Sequence, residues 1–295
     1  MIKEAGKRVF VLNYLVYKIA EFIATVLPYP LAYAVAIAGA RLWYATGSNV
    51  GIIKKNISRV LSLDPGDPEV RRISVRVFIN WGKNIVDFLR QHMISKETFR
   101  SKVRLEGIEY LDEALKEKKG VVVITSHIGN FELAGSRLAI DGYKIWGISL
   151  VRKSDRANRF FEAKRMSMGL KTLYINRMLQ VFRHLKNNEI IAIPSDWDPT
   201  GKASRPFKFF RRMAELPTGV LRIALKSGSP LIPIFIWRDG KYTHREVIGK
   251  PIELDREGDG EELISKNMGK LLTVMETHIR EHLIEWELFH DIWID

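Results

Sequence analysis

One histidine and one glutamate stand where chemistry is easiest to build. Gly120–Thr125 (GVVVIT) has the β-branched, uncharged composition of a buried strand, and Ser126-His127-Ile128-Gly129-Asn130-Phe131-Glu132 follows it directly. Ligands of α/β sheets bind beyond the carboxyl ends of strands, where helix N-termini also converge. A histidine placed there meets substrate rather than core. Glu132 lies five residues on, in the first turn of the next helix. From there it can fold back and accept a hydrogen bond from one imidazole nitrogen. That bond would fix the tautomer and support the positive charge that grows as the other nitrogen takes a proton. Such a pair can deprotonate a hydroxyl that attacks a thioester, with no serine or cysteine nucleophile. The plainer reading makes His127 a capping residue and Glu132 a partner of the helix dipole. A lone His-x4-Glu does not decide between them.

The elements around this point read as an α/β layer fold. Gly120–Thr125, Lys144–Leu150, Glu189–Ile193 and Leu231–Trp237 are predicted as buried strands. Asn130–Ile140, Asp155–Met168, Met178–Asn187 and Glu215–Lys226 are predicted as the helices between them. That alternation implies a largely parallel central sheet flanked by helices. A last amphipathic helix is predicted from about Leu263 to Ile284. Residues 1–60 read as helical, Ser62–Glu69 as a break rich in proline and glycine, and Glu69–Met93 as helical again. The chain is therefore divided into a helical segment, 1–60, and an α/β domain, 61–295.

The chain of 295 residues is 46% apolar and carries a formal net charge of +13. A surplus of that size calls for an acidic partner. Within residues 1–60, Lys3, Lys7, Arg8, Lys18, Arg41, Lys54, Lys55 and Arg59 face only Glu4 and Glu21, on an aliphatic and aromatic background. Basic plus apolar points to a membrane surface before nucleic acid. Val9–Leu27 is interrupted by Asn13, Lys18 and Glu21, too polar for a clean span. Two helices lying in or on the bilayer, with Pro28 and Pro30 at their turn, are expected. There is no cysteine, so disulfides, thiolate nucleophiles and Cys-ligated zinc are excluded. No phosphate-binding loop, dinucleotide fingerprint or GxSxG elbow is present.

His127-Ile-Gly-Asn-Phe-Glu132 resembles the H-x4-(D/E) motif of the late lipid A acyltransferases and of their relatives that acylate phosphatidylinositol mannosides. Further segments match in order: Val151-Arg152-Lys153, Arg165, Pro194-Ser-Asp196-Trp-Asp198-Pro-Thr-Gly201, Arg205–Phe210, Pro217-Thr-Gly219 and Ser229–Ile234. Phe131 stands where the commoner form has Trp. The resemblance spans roughly residues 15–250. It implies a glycerolipid-acyltransferase-like fold, with His127 as general base and Glu132 as its partner. Asn130, Arg152, Arg165 and Asp198 would bind substrate. Asp196 is the alternative to Asp198, which is favoured. The donor would be an acyl thioester on acyl carrier protein or coenzyme A. The acceptor would be a hydroxyl of a lipid A precursor or related glycolipid at the cytoplasmic face of the cell inner membrane. Neither cofactor nor metal is required. Rival readings are a phosphatidylinositol mannoside or lysophospholipid acyltransferase of the same fold, and a basic membrane- or nucleic-acid-binding protein. Nucleic acid is not expected as a partner.

Two other segments carry signals. Arg205, Lys208, Arg211 and Arg212 alternate with Phe207, Phe209 and Phe210. This suits a lipid headgroup boundary with inserted phenylalanines, or an acidic carrier. His278-Ile-Arg-Glu281-His282 has the spacing of inverted zinc peptidases, but the segment reads better as an amphipathic helix.

Overall fold

The computed structural model describes residues 2–294 except Ser48, Lys202 and Asp259, with side chains from Tyr14 onward. The bases at positions 3, 7 and 8 therefore lie outside the described side chains.

The sheet that carries the site is built from β1 (Val103–Glu106), β2 (Val121–Thr125), β3 (Ile145–Ser149), β4 (Lys171–Tyr174), β5 (Ile190–Pro194), β8 (Leu231–Arg238) and β9 (His244–Ile248), in the order β1-β9-β8-β2-β5-β3-β4. Its pairs are parallel except β8 with β9. β2 sits between β8 and β5, and every one of its residues is buried. Both faces are therefore covered, which explains its unbroken apolar run. Val122 and Ile124 face one core with Ile191, Leu231, Leu221, Met268 and Met275. Val121 and Val123 face the other, with Leu111, Leu138, Ile190 and Ile232. The parallel α/β layer expected from the sequence is present.

The helices in the carboxyl-terminal part are α7 (Phe131–Ile140), α8 (Asp155–Met166), α9 (Leu179–Lys186), α10 (Gly219–Ser227) and α11 (Gly260–Glu281). Glu215–Lys226 is not one helix. Its first residues belong to β7 (Arg212–Pro217), which forms an antiparallel hairpin with β6 (Ser204–Phe209). Ala214 and Leu216 are buried while Glu215 between them is exposed, so period two wins over period 3.6 there. β1, β4 and β9 were not anticipated. β1 and β4 are four-residue strands at the two sheet edges, and β9, between β1 and β8, carries His244, Arg245 and Glu246, so all three carry little apolar signal.

At the other end, α1 (Ile2–Val26) and α2 (Tyr29–Ala45) form a hairpin against α4 (Pro68–Arg90), with α3 (Val50–Leu61) between α2 and α4 in sequence. Asp67 caps α4 by accepting the Glu69 amide at 2.7 Å, and Pro68 occupies the first turn. Ala24, Ala32 and Tyr33 pack on Val86, Phe88 and Leu89. Leu15, Val16, Ile19, Phe22 and Val26 stay exposed along one face of α1, and Leu31, Val35 and Leu42 on α2. No helix among the described residues is long and apolar enough to cross a membrane.

After α11 the chain runs back across the sheet. It makes bridges Ile128↔Trp286 and Ala214↔Trp293.

Candidate active site

Gly129 makes the turn after β2 possible. Its φ is +56°, and a Cβ there would lie 2.2 Å from the Ile236 carbonyl oxygen. Only glycine fits so close to a neighbouring strand at that φ. The turn projects His127 from the carboxyl end of β2 into a cavity of about 430 Å³.

The imidazole is held by an aspartate rather than by the glutamate five residues on. His127 Nδ1 meets Asp196 Oδ1 at 2.6 Å, and the His127 amide donates to Asp196 Oδ2 at 2.9 Å. Asp196 is fully buried just past the end of β5, the strand beside β2. The pairing that spacing suggested, Glu132 with His127, is corrected accordingly. Glu132 instead receives a bidentate pair from Arg165, with Nε to Oε2 at 2.7 Å and Nη2 to Oε1. Local spacing finds the nearest carboxylate in sequence, whereas the parallel register brings one from 69 residues away.

Burial opposes a charged imidazole, but Asp196 outweighs it and holds the His127 pKa above its ordinary value. Burial likewise opposes the Asp196 carboxylate. Its attraction to His127 and its hydrogen bonds hold that pKa below the usual range. Both trends favour an ion pair once His127 takes a proton, which is the state a general base passes through.

Asp196 and Asp198 have different partners. Asp198 accepts the Thr200 amide at 2.8 Å, the Thr200 hydroxyl at 2.7 Å and the Ala203 amide at 2.9 Å. It therefore ties its own loop together, as aspartates in turns do. It also lines the cavity, while Asp196 is the carboxylate that holds His127. Asn130 stands apart from the cavity. Its Nδ2 donates to the Asn84 carbonyl at 2.9 Å. It is buried and not among the cavity-lining residues, and this bond clamps the turn to α4.

Arg152 and Arg165 both line the cavity. The Arg152 guanidinium lies 3.9 Å from the Phe161 ring centre. Burial and then the Arg165 charge hold its pKa below the ordinary value. Most of the remaining lining is apolar, including Phe131, Ile148, Ile175, Met178, Trp197 and Val220. A smaller space of about 50 Å³ lies behind the Glu132–Arg165 pair and reaches Glu246, whose buried carboxyl is pushed well above the usual range by desolvation. The site can thus offer a base, the Arg152 guanidinium for an anionic oxygen, and an apolar slot for a hydrocarbon.

The other signals resolve as structure. Phe209 and Phe210 are buried beside Trp286 and Trp293, so they cannot insert into lipid, while Arg205, Lys208, Arg211 and Arg212 are exposed. His278, Glu281 and His282 bring ligand-capable atoms within 4.8 Å of one another. They line none of this cavity, and the two imidazoles stack on Phe235 and Trp237.

The sequence model of the family described as bacterial lipid A biosynthesis acyltransferase matches residues 3–294. A phosphatidylinositol mannoside acyltransferase of Mycobacterium tuberculosis (strain CDC 1551 / Oshkosh) is 24% identical over 212 residues, 69% of this chain and 66% of that protein. One of Mycolicibacterium smegmatis (strain ATCC 700084 / mc(2)155) is 22% identical over 275 residues, 91% of this chain and 87% of that protein.

Proposed function

This chain belongs to the bacterial lipid A biosynthesis acyltransferase family, and from that premise we propose that it moves a fatty acyl group from a thioester to a hydroxyl of an anionic, sugar-bearing lipid. The observation that carries the reading is the His127–Asp196 pair opening on a largely apolar cavity. Asp196 keeps the proton on Nδ1, so Nε2 is the nitrogen that takes the acceptor's hydroxyl proton. The freed oxygen attacks the thioester carbonyl and a tetrahedral oxyanion forms. The C–S bond then breaks, and the leaving thiolate recovers the proton from His127. The ester and a free thiol are the products, and no group on the protein is acylated.

Arg165 is committed to Glu132, so it shapes the wall. Arg152 is the guanidinium offered to a phosphate of donor or acceptor. The apolar lining takes the acyl chain. The donor is acyl carrier protein or acyl-coenzyme A, whose negative charge suits a protein of net charge +13. The acceptor class joins lipid A precursors, suggested by the family, with phosphatidylinositol mannosides, named for the relatives. The exposed apolar face of α1 and α2 supports monotopic binding to the cytoplasmic leaflet of the inner membrane.

Incubation with isotope-labelled acyl-coenzyme A or acyl carrier protein and a panel of both acceptor types, read by mass spectrometry, tests this. A mass gain on one acceptor together with release of one thiol is expected. Thiol release unchanged by His127→Ala, or no acylated acceptor at all, would overturn it.

A further inference from the structure

We infer that Trp286 is a positioning residue for the His127 base, acting through Asp196; the inference rests on the acyl-transfer reading above. Trp286 lies 90 residues from Asp196 in sequence and is 1% exposed. Its indole Nε1 donates to Asp196 Oδ2 at 3.0 Å, the same oxygen that accepts the His127 amide. Oδ1 meets His127 Nδ1. Asp196 is therefore oriented by three donors, with the indole on Oδ2 and the imidazole on Oδ1. A buried carboxylate that loses one of them keeps its charge but not its orientation.

The indole is itself held. Ile128 and Trp286 pair across an antiparallel bridge. The Gly129 amide donates to the Glu285 carbonyl at 2.8 Å, and the Glu287 amide donates to the His127 carbonyl at 2.7 Å. The rings of Phe209 and Phe210 flank it. The strand-like segment after α11 and the turn that carries His127 are thus one unit. Trp286 is not among the cavity-lining residues, so its influence passes through Asp196. Nothing about its sequence position signals this, because the contact exists only once the carboxyl-terminal segment crosses the sheet.

The experiment replaces Trp286 in the full chain by phenylalanine and, by site-specific incorporation, by β-(3-benzothienyl)alanine. The latter keeps the shape and lacks the N–H. The comparison variant is Trp293→Phe, whose lost donor served Asn56 Oδ1 at 2.8 Å, not Asp196. ¹⁵N NMR of the His127 ring gives tautomer and titration midpoint, and steady-state acyl transfer gives kcat and KM. His290, stacked on Trp197 beside the site, also feels the His127 charge, so its resonance is followed in parallel.

Both Trp286 variants should raise the His127 midpoint, because a carboxylate with one donor fewer holds the imidazolium proton more tightly. They should lower kcat by about tenfold, the kinetic equivalent of one hydrogen bond, with the donor KM within about twofold. Trp293→Phe should shift neither. An unchanged midpoint and kcat in the benzothienyl variant, or equal changes in Trp293→Phe, would overturn the inference. The benzothienyl variant decides the matter if the phenylalanine variant does not fold. The NMR readout needs no turnover, so a parent chain that transfers no acyl group would sink the acyl-transfer reading while the midpoint still judges Trp286.

Discussion

At the scale of single residues, the site divides its acidic groups by task. Asp196 serves the imidazole, Glu132 neutralises Arg165, and Asp198 closes a turn. The Glu132–Arg165 pair is almost buried, with side chains 17% and 8% exposed. Glu132→Gln should therefore leave a guanidinium without its counter-ion and cost about 3 kcal/mol of unfolding free energy. The double replacement Glu132→Gln/Arg165→Met should recover most of that loss. Urea unfolding of the two singles and the double gives the coupling, and additive losses would show that the pair is not an energetic unit. His127 was legible in the sequence because a histidine after an all-apolar strand is conspicuous. Its true partner was not, because a pairing across parallel strands leaves no spacing to read. Of the turn's two aspartates, which one faces the imidazole is a matter of the backbone path after β5.

The elements were legible wherever burial was two-sided. β2, β3, β5 and β8 were found because their apolar runs are unbroken or nearly so. β7 was lost because an alternating strand runs directly into α10, and the mixture imitates a helix. The two helices at the amino end were expected to lie on a membrane. Their exposed apolar residues recur at Leu15, Ile19, Phe22 and Val26, nearly one per turn, while Ala24, Ala32 and Tyr33 pack on α4. Ile19→Asp/Phe22→Asp should reduce retention on vesicles of phosphatidylethanolamine with phosphatidylglycerol by about tenfold or more, since each removes exposed apolar area that the leaflet would cover and adds a charge of the leaflet's own sign. Retention equal to the parent in co-sedimentation would show that this face meets something other than lipid.

On the scale of the whole molecule, buried carboxyl groups make stability depend on pH in an unusual sense. Burial pushes Glu285 up to about 7, only partly opposed by Arg238 and Lys83, and pushes Glu287 well above the usual range. A carboxyl whose pKa is higher folded than unfolded binds more protons in the native state. Its contribution is present below the ordinary 4.5 and is lost as pH rises through about 7. Glu285→Gln should therefore flatten the fall in stability between pH 5 and pH 8 relative to the parent, as read from urea midpoints across that range. A parallel pair of curves would show that Glu285 titrates alike in both states. The net charge of +13 was plain from composition, and exposed bases such as Arg205, Lys208 and Arg211 fit it. Of the two readings of that segment, a lipid boundary or an acidic carrier, the first does not hold for Phe209 and Phe210, which are buried; a hairpin turn hides which side of the strand is core.

The central claim is that His127 works as a base because Asp196 holds it, beside a cavity that takes an acyl chain. Single-turnover acyl transfer by Asp196→Asn and Asp198→Asn, measured with saturating donor, tests it most directly. The amide at position 196 keeps the shape but favours the wrong imidazole tautomer, so the rate should fall by about 10³–10⁴-fold. The amide at 198 should leave the rate within about threefold, since its oxygen can still accept both Thr200 bonds and only the Ala203 amide loses its acceptor. A near-parental rate for Asp196→Asn, or a loss of equal size at 198, would contradict the account.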